Sequence, residues 1–108
     1  MSQLSEKSCK PCNEGGQPLT GDRLEEYAGQ VDDDWKVVEE HHIERTFQFD
    51  DFQGALDFVN RVGAVAEEEG HHPNISFTWG KATIKLYTHE MDGLSPNDFI
   101  VAAKIDRI

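Results

Sequence analysis

The sequence predicts one α+β domain, with elements in the order α-β-β-α-β-β-α: a four-stranded antiparallel sheet with helices packed on one face. Three observations carry this reading. Two pairs of segments alternate apolar and polar residues around a short break, which is the pattern of two half-buried hairpins. Three other segments repeat apolar residues at helical spacing, each with a capping residue ahead of it. The chain has 108 residues, enough for one modest core and too few for a second domain.

Composition narrows the class of partner. With 37% hydrophobic and 29% charged residues, the chain is too apolar for a disordered segment and too interrupted for a membrane span. Ten Lys and Arg against 21 Asp and Glu give a net charge of −11, so nucleic acid and anionic lipid surfaces are repelled at long range. The first residues, Met1 to Lys7, contain no apolar stretch of a secretory signal, and the expected location is the cytoplasm. Cys9 and Cys12 form a C-x-x-C among Pro11, Gly15, Gly16 and Pro18, which offer no apolar face to bury. Residues 1–19 therefore read as a flexible tail and residues 20–108 as the single domain. Two thiols alone supply neither a four-ligand zinc site nor a redox dithiol at a helix start.

Each element has its own justification. Leu24, Tyr27, Ala28 and Val31 stand at i, i+3, i+4 and i+7 after Thr20 or Asp22 as N-cap, which predicts a short first helix ended by Asp32-Asp33-Asp34. Trp35 to Glu40 and Ile43 to Phe49 alternate and form the first hairpin, with His41 and His42 as turn residues. Asp50 or Asp51 then caps a second helix, whose stripe runs through Phe52, Ala55, Leu56, Val59, Val62 and Ala66. Glu67-Glu68-Glu69 close it, placing negative charge beside His71 and His72, and Gly70 suits the left-handed position past the last turn. Ile75, Phe77 and Trp79 alternate, Gly80-Lys81 turn the chain, and Ala82, Ile84 and Leu86 alternate again. Ser95 as N-cap, Pro96 at the first position and Asp98 at the third open a C-terminal helix running through Phe99, Ile100, Val101, Ala102, Ala103 and Ile105. A four-stranded sheet leaves two edges, which dimerisation would cover.

Three histidines form the candidate site. Pro73 holds His72 in an extended backbone and launches the third strand, so His71 and His72 sit at the rim of the sheet. His89 follows the fourth strand, and antiparallel pairing of the last two strands brings that end beside His72. The loop from Glu90 to Leu94 leads to the helix start at Ser95, with Asp98 nearby. Three converging imidazoles, which titrate near neutrality, suit acid and base catalysis. A zinc site from the same three is the lesser reading, because adjacent histidines point apart.

The runs Gly70-His71-His72-Pro73-Asn74, Lys81 to His89, and Gly93-Leu94-Ser95 with Asp98 resemble the signature of the pterin-4a-carbinolamine dehydratases. The resemblance covers residues 20–106. It implies an enzyme that removes water from 4a-hydroxytetrahydropterin, giving quinonoid dihydropterin for reuse by an aromatic amino acid hydroxylase. It also implies catalysis without metal or cofactor, and a homodimer or homotetramer. On this resemblance His71, His72 and His89 are the catalytic histidines, with His71 and His72 as general acids and His89 positioning the ring or taking its proton. Pro73 and Asp98 lie against the substrate, and Asp98 either orients a histidine or caps the last helix. Animal members carry an acidic residue before the histidine pair, where this chain has Gly70, leaving Glu67 to Glu69 as substitutes. The alternative function is a non-catalytic binding or assembly module of the same fold.

Overall fold

The computed structural model describes residues 18–108, the Glu90 side chain excepted. Its helices are α1 (Gly21–Ala28), α2 (Phe52–Glu69) and α3 (Pro96–Asp106), and its strands are β1 (Lys36–Val38), β2 (His42–Gln48), β3 (Asn74–Thr78) and β4 (Lys81–Leu86). This is the order read from the sequence, with one addition, a single 3₁₀ turn at His89–Met91. The strands form one antiparallel sheet in the spatial order β1-β2-β4-β3, leaving β1 and β3 as edges. Ile43, Ala82, Ile84 and Leu86 are buried on the face that meets the helices. On the other face Thr46 and Thr83 join hydroxyls at 2.9 Å across β2 and β4, exposed to solvent. No described helix is long and apolar enough to cross a membrane.

Local chemistry explains the boundaries. Asp51 supplies the α2 cap, its carboxylate accepting the Gly54 N–H at 2.7 Å. Gly70 ends α2 in the left-handed conformation, φ 66°. Thr20 takes the N-cap position of α1 without a side-chain cap bond. Two expectations shift. The last hairpin turns at Trp79-Gly80, since Thr78 pairs with Lys81, and Gly80 takes the positive φ of 79° that lets Lys81 resume the ladder. The buried stripe of α2 is Ala55, Phe58, Val62 and Ala66. Phe58 replaces Phe52 because the rings of Phe47 and Phe49 lie against it, at 4.5 and 5.1 Å between centroids. Phe52 is left exposed beside Phe77.

Helix α3 is buried almost all round, from Asn97 to Ala103 and at Ile105, as an apolar helix between α1 and α2 must be. Its last residue, Asp106, is a junction that the sequence did not announce. One carboxylate oxygen accepts from Trp35 Nε1–H at 2.7 Å and Arg45 Nη1 at 2.8 Å, the other from the Asp32 N–H at 3.0 Å. Arg45 also faces Asp32 and Asp34 and lies over the Phe47 ring, so the acidic run that ends α1 is tied to β2. At the other end of the fold Leu19 is buried and donates its N–H to the Leu94 carbonyl at 2.8 Å. Pro18 packs so closely on Gly93 that a Cβ there would stand 2.7 Å from the proline Cβ. Of the tail expected over residues 1–19, residues 1–17, Cys9 and Cys12 among them, lie outside the described residues.

Candidate active site

Ser95-Pro96-Asn97-Asp98 makes the first turn of α3, and the third residue of that turn reaches back. Asp98 has no solvent exposure, yet both of its oxygens are satisfied. Oδ2 accepts the Ser95 N–H at 2.9 Å and the Thr88 hydroxyl at 2.9 Å. Oδ1 stands 2.6 Å from Nε2 of His71, whose side chain is only 12% exposed. Thr88 donates to Asp98, so the Ser95 hydroxyl, 2.7 Å away, donates to Thr88. A buried carboxylate with three donors around it fixes the proton of His71 on Nε2 and leaves Nδ1 as the other nitrogen of the ring. Capping and histidine orientation, alternatives in the sequence, are two oxygens of one group.

His72 is held differently. Its Nε2 lies 2.5 Å from Oε2 of Glu67, one turn back on α2, and the pair is open to water, with side chains 60% and 79% exposed. Glu67 therefore does supply a carboxylate to the histidine pair in the place where Gly70 has none. Pro73 follows in the half-buried lead into β3.

His89 begins the 3₁₀ turn that follows β4. Thr88 and Gly93 close that turn with reciprocal backbone bonds of 2.7 and 3.3 Å. The His89 side chain is exposed and its ring rests on Tyr87, centroids 4.4 Å apart. Asn74 pairs with Lys85, so the start of β3 and the end of β4 do share one end of the sheet. His89 is linked to His71 through Thr88 and Asp98; among the described residues no hydrogen bond or ring contact joins it to His72.

His41 and His42 belong to the same end. Ile43 pairs with Leu86, which puts the start of β2 beside the end of β4 and gathers all five histidines on one rim. His41 sits in the turn as expected, and His42 is the first residue of β2, paired with Val38. Nε2 of His41 meets Oδ1 of Asp92 at 2.8 Å, and its Nδ1 meets Nδ1 of His42 at 3.1 Å. The His42 imidazole is held below its ordinary pKa by burial, then by the positive charges of Lys85 and His41, against the opposing pull of Glu44 and Glu39. Among the described residues, no three His, Cys, Asp or Glu side chains converge as a metal ligand set. Sequence reasoning did not find Thr88, Ser95 and Tyr87 as parts of this arrangement. All three stand within the signature runs, Lys81 to His89 and Gly93-Leu94-Ser95, without a role assigned to them there.

Comparison with known proteins gives the chain a family. The family model for pterin 4 alpha carbinolamine dehydratase matches residues 17–108. A Rubrobacter xylanophilus relative carrying the family's name is 55% identical over 108 residues, covering the whole of both chains. Another, from Alkaliphilus metalliredigens, is 48% identical over 99% of this chain and 96% of its own. Among solved structures, a Brucella melitensis protein described as a transcriptional coactivator/pterin dehydratase superposes with a TM-score of 0.78 at 28% identity, over 84% of this chain and 97% of that one. A pterin dehydratase-like protein described as a RuBisCO assembly factor in the alpha-carboxysome shares the fold at 24% identity, with a TM-score of 0.58 over 68% of this chain and 86% of its own. With its fold and nearly its whole length matched, the chain belongs to the pterin 4 alpha carbinolamine dehydratase family.

Proposed function

We propose that this chain dehydrates 4a-hydroxytetrahydropterin to quinonoid dihydropterin, a product fit for reduction and reuse by an aromatic amino acid hydroxylase. The observation that carries the reading is the buried Asp98, which orients His71 with one oxygen and with the other accepts from Thr88, the residue preceding His89. A carboxylate is held without solvent only where its partners need it, and here the partner is an imidazole at a rim of histidines.

The reaction moves two protons. The 4a-hydroxyl leaves as water once protonated, and a ring nitrogen gives up its proton as the C=N bond forms. Imidazoles do both near neutral pH. His71 and His72 are the general acids, the first oriented by Asp98 and the second by Glu67. His89 positions the ring or takes its proton. Pro73 lies beside the substrate and fixes the backbone of His72. Asp98 acts through His71, since both its oxygens are already engaged. The protein works in the cytoplasm, as a homodimer or homotetramer that covers the β1 or β3 edge.

Dehydration of synthetic 4a-hydroxytetrahydropterin, followed by ultraviolet absorbance with the uncatalysed rate subtracted, tests the proposal. A rate above background supports it. No such rate makes the chain a non-catalytic binding or assembly module of this fold.

A further inference from the structure

The 3₁₀ turn places the His89 backbone, but nothing in that turn chooses the direction of its side chain. Met91 N–H to the Thr88 carbonyl and Asp92 N–H to the His89 carbonyl, at 3.3 and 3.2 Å, are main-chain bonds only. Among the described residues the exposed imidazole has one ring contact, with Tyr87 at 4.4 Å and 43°. Tyr87 in turn meets the His41 ring at 4.7 Å and 38°. His41 is held by Asp92, which closes the turn that His89 opens and adopts a left-handed conformation, φ 49°. The contacts therefore form a closed circuit: His89, Tyr87, His41, Asp92 and back along the main chain to His89.

We propose that Tyr87 and His41 are positioning residues for His89, with His41 clamping Tyr87 from the β1–β2 turn and Asp92 anchoring the clamp. This inference rests on the reading of His89 as a working histidine of the dehydratase. An exposed side chain free to rotate spends only part of its time in the reactive geometry, and a ring packed on one side holds it there. The geometry of His41 suits an anchor. Its Nε2 meets the Asp92 carboxylate at 2.8 Å and its Nδ1 meets Nδ1 of His42 at 3.1 Å, so both ring nitrogens are engaged and the ring is fixed in its plane. Among the described residues, the other charged groups acting on His42 are Glu39, Glu44 and Lys85, which also approaches the Tyr87 ring at 5.6 Å.

Two readouts on the full chain test the clamp. The first is the NMR signature of the His89 ring protons, assigned by their loss in His89→Ala, which a packed tyrosine ring shifts. In Tyr87→Leu and His41→Ala these resonances move towards the values of a free histidine, and in Tyr87→Phe, which keeps a ring, they stay near their wild-type positions. The second is kinetic: kcat falls about tenfold in Tyr87→Leu and about fivefold in His41→Ala, with KM within twofold, and Tyr87→Phe restores most of it. Unchanged His89 resonances in both Tyr87→Leu and His41→Ala overturn the inference, whatever the rates. Shifted resonances in a wild-type protein that shows no dehydration would uphold the packing while removing the dehydratase reading, so the two failures are told apart.

Discussion

Nε2 of His71 lies 2.6 Å from Oδ1 of Asp98, a carboxylate with no solvent exposure that also caps the last helix through the Ser95 N–H. One side chain thus couples the stability of α3 to the orientation of a candidate acid. The coupling makes Asp98 the most informative position to change.

Asp98→Asn keeps the size of the side chain and removes its charge. An amide presents one acceptor and one donor group where His71, Thr88 and the Ser95 N–H require acceptors on both sides. We expect a loss of about 1–3 kcal/mol in stability, from leaving a buried donor unpaired. We also expect a fall in dehydration rate of about 10²–10⁴-fold, as when an orienting carboxylate behind a histidine is replaced by an amide. Urea unfolding and the absorbance assay separate the two effects. A full rate in folded Asp98→Asn would show that the carboxylate serves the helix alone.

His72→Ala and His89→Ala should each slow dehydration by about 10²–10⁴-fold, the usual size of a general acid or base contribution. Both side chains are exposed, so neither variant should unfold. Glu67→Gln should cost less than about fivefold, because the Glu67–His72 pair is open to water and such pairs are weak. Steady-state kinetics on the three proteins decides this, and near wild-type rates for both histidine variants would remove the acid and base roles.

His42 gives a pH dependence with a defined sign. Its imidazole titrates below the ordinary value of 6.5 in the folded chain, chiefly through burial. The unfolded chain therefore binds the proton more readily, and the stability due to neutral His42 is present above pH 6.5 and lost as the pH falls below it. His42→Asn should flatten the decline of Tm on the acid side of pH 6.5 relative to wild type. Parallel Tm profiles for the two proteins would contradict the assignment.

The β1–β2 turn carries two glutamates in the left-handed region, Glu39 at φ 54° and Glu40 at φ 55°. Each such residue costs about 1–2 kcal/mol for an ordinary side chain, and asparagine tolerates the conformation better. Glu40 accepts a bond from the Gly21 N–H, so Glu39 is the position to change. Glu39→Asn should raise stability by about 0.5–1 kcal/mol with activity intact, measured by thermal unfolding. A lower Tm would mean that the Glu39 side chain has a role the backbone conformation does not show.

Much of the fold was legible because its signals are local. Asp51, Gly70, Ser95 and Pro96 act within a few residues of where they stand, and the structure uses each as a helix boundary. Alternation in residues 43–49 and 82–86 likewise reports which side of a strand is buried. The stripe of α2 was read less well, since a helix with Phe52, Leu56 and Phe58 offers two overlapping faces. Which one is buried depends on Phe47 and Phe49 at the end of β2. The site divides the same way. His71, His72, His89 and Asp98 were picked out by spacing and by resemblance, whereas Tyr87 and Thr88 stood in the signature run without a role and Glu67 was one of three candidate carboxylates.

By itself the sequence determined the α+β class, the order of seven elements and the family signature, which are carried by short runs of residues close along the chain. Only the tertiary structure decided that His41 and His42 share a rim with the other three histidines, because that follows from β2 lying between β1 and β4. Only the tertiary structure decided that one carboxylate both caps α3 and holds His71, 27 residues away. Sheet order and helix docking are fixed by burial summed over the whole core, and no short stretch of sequence records that sum.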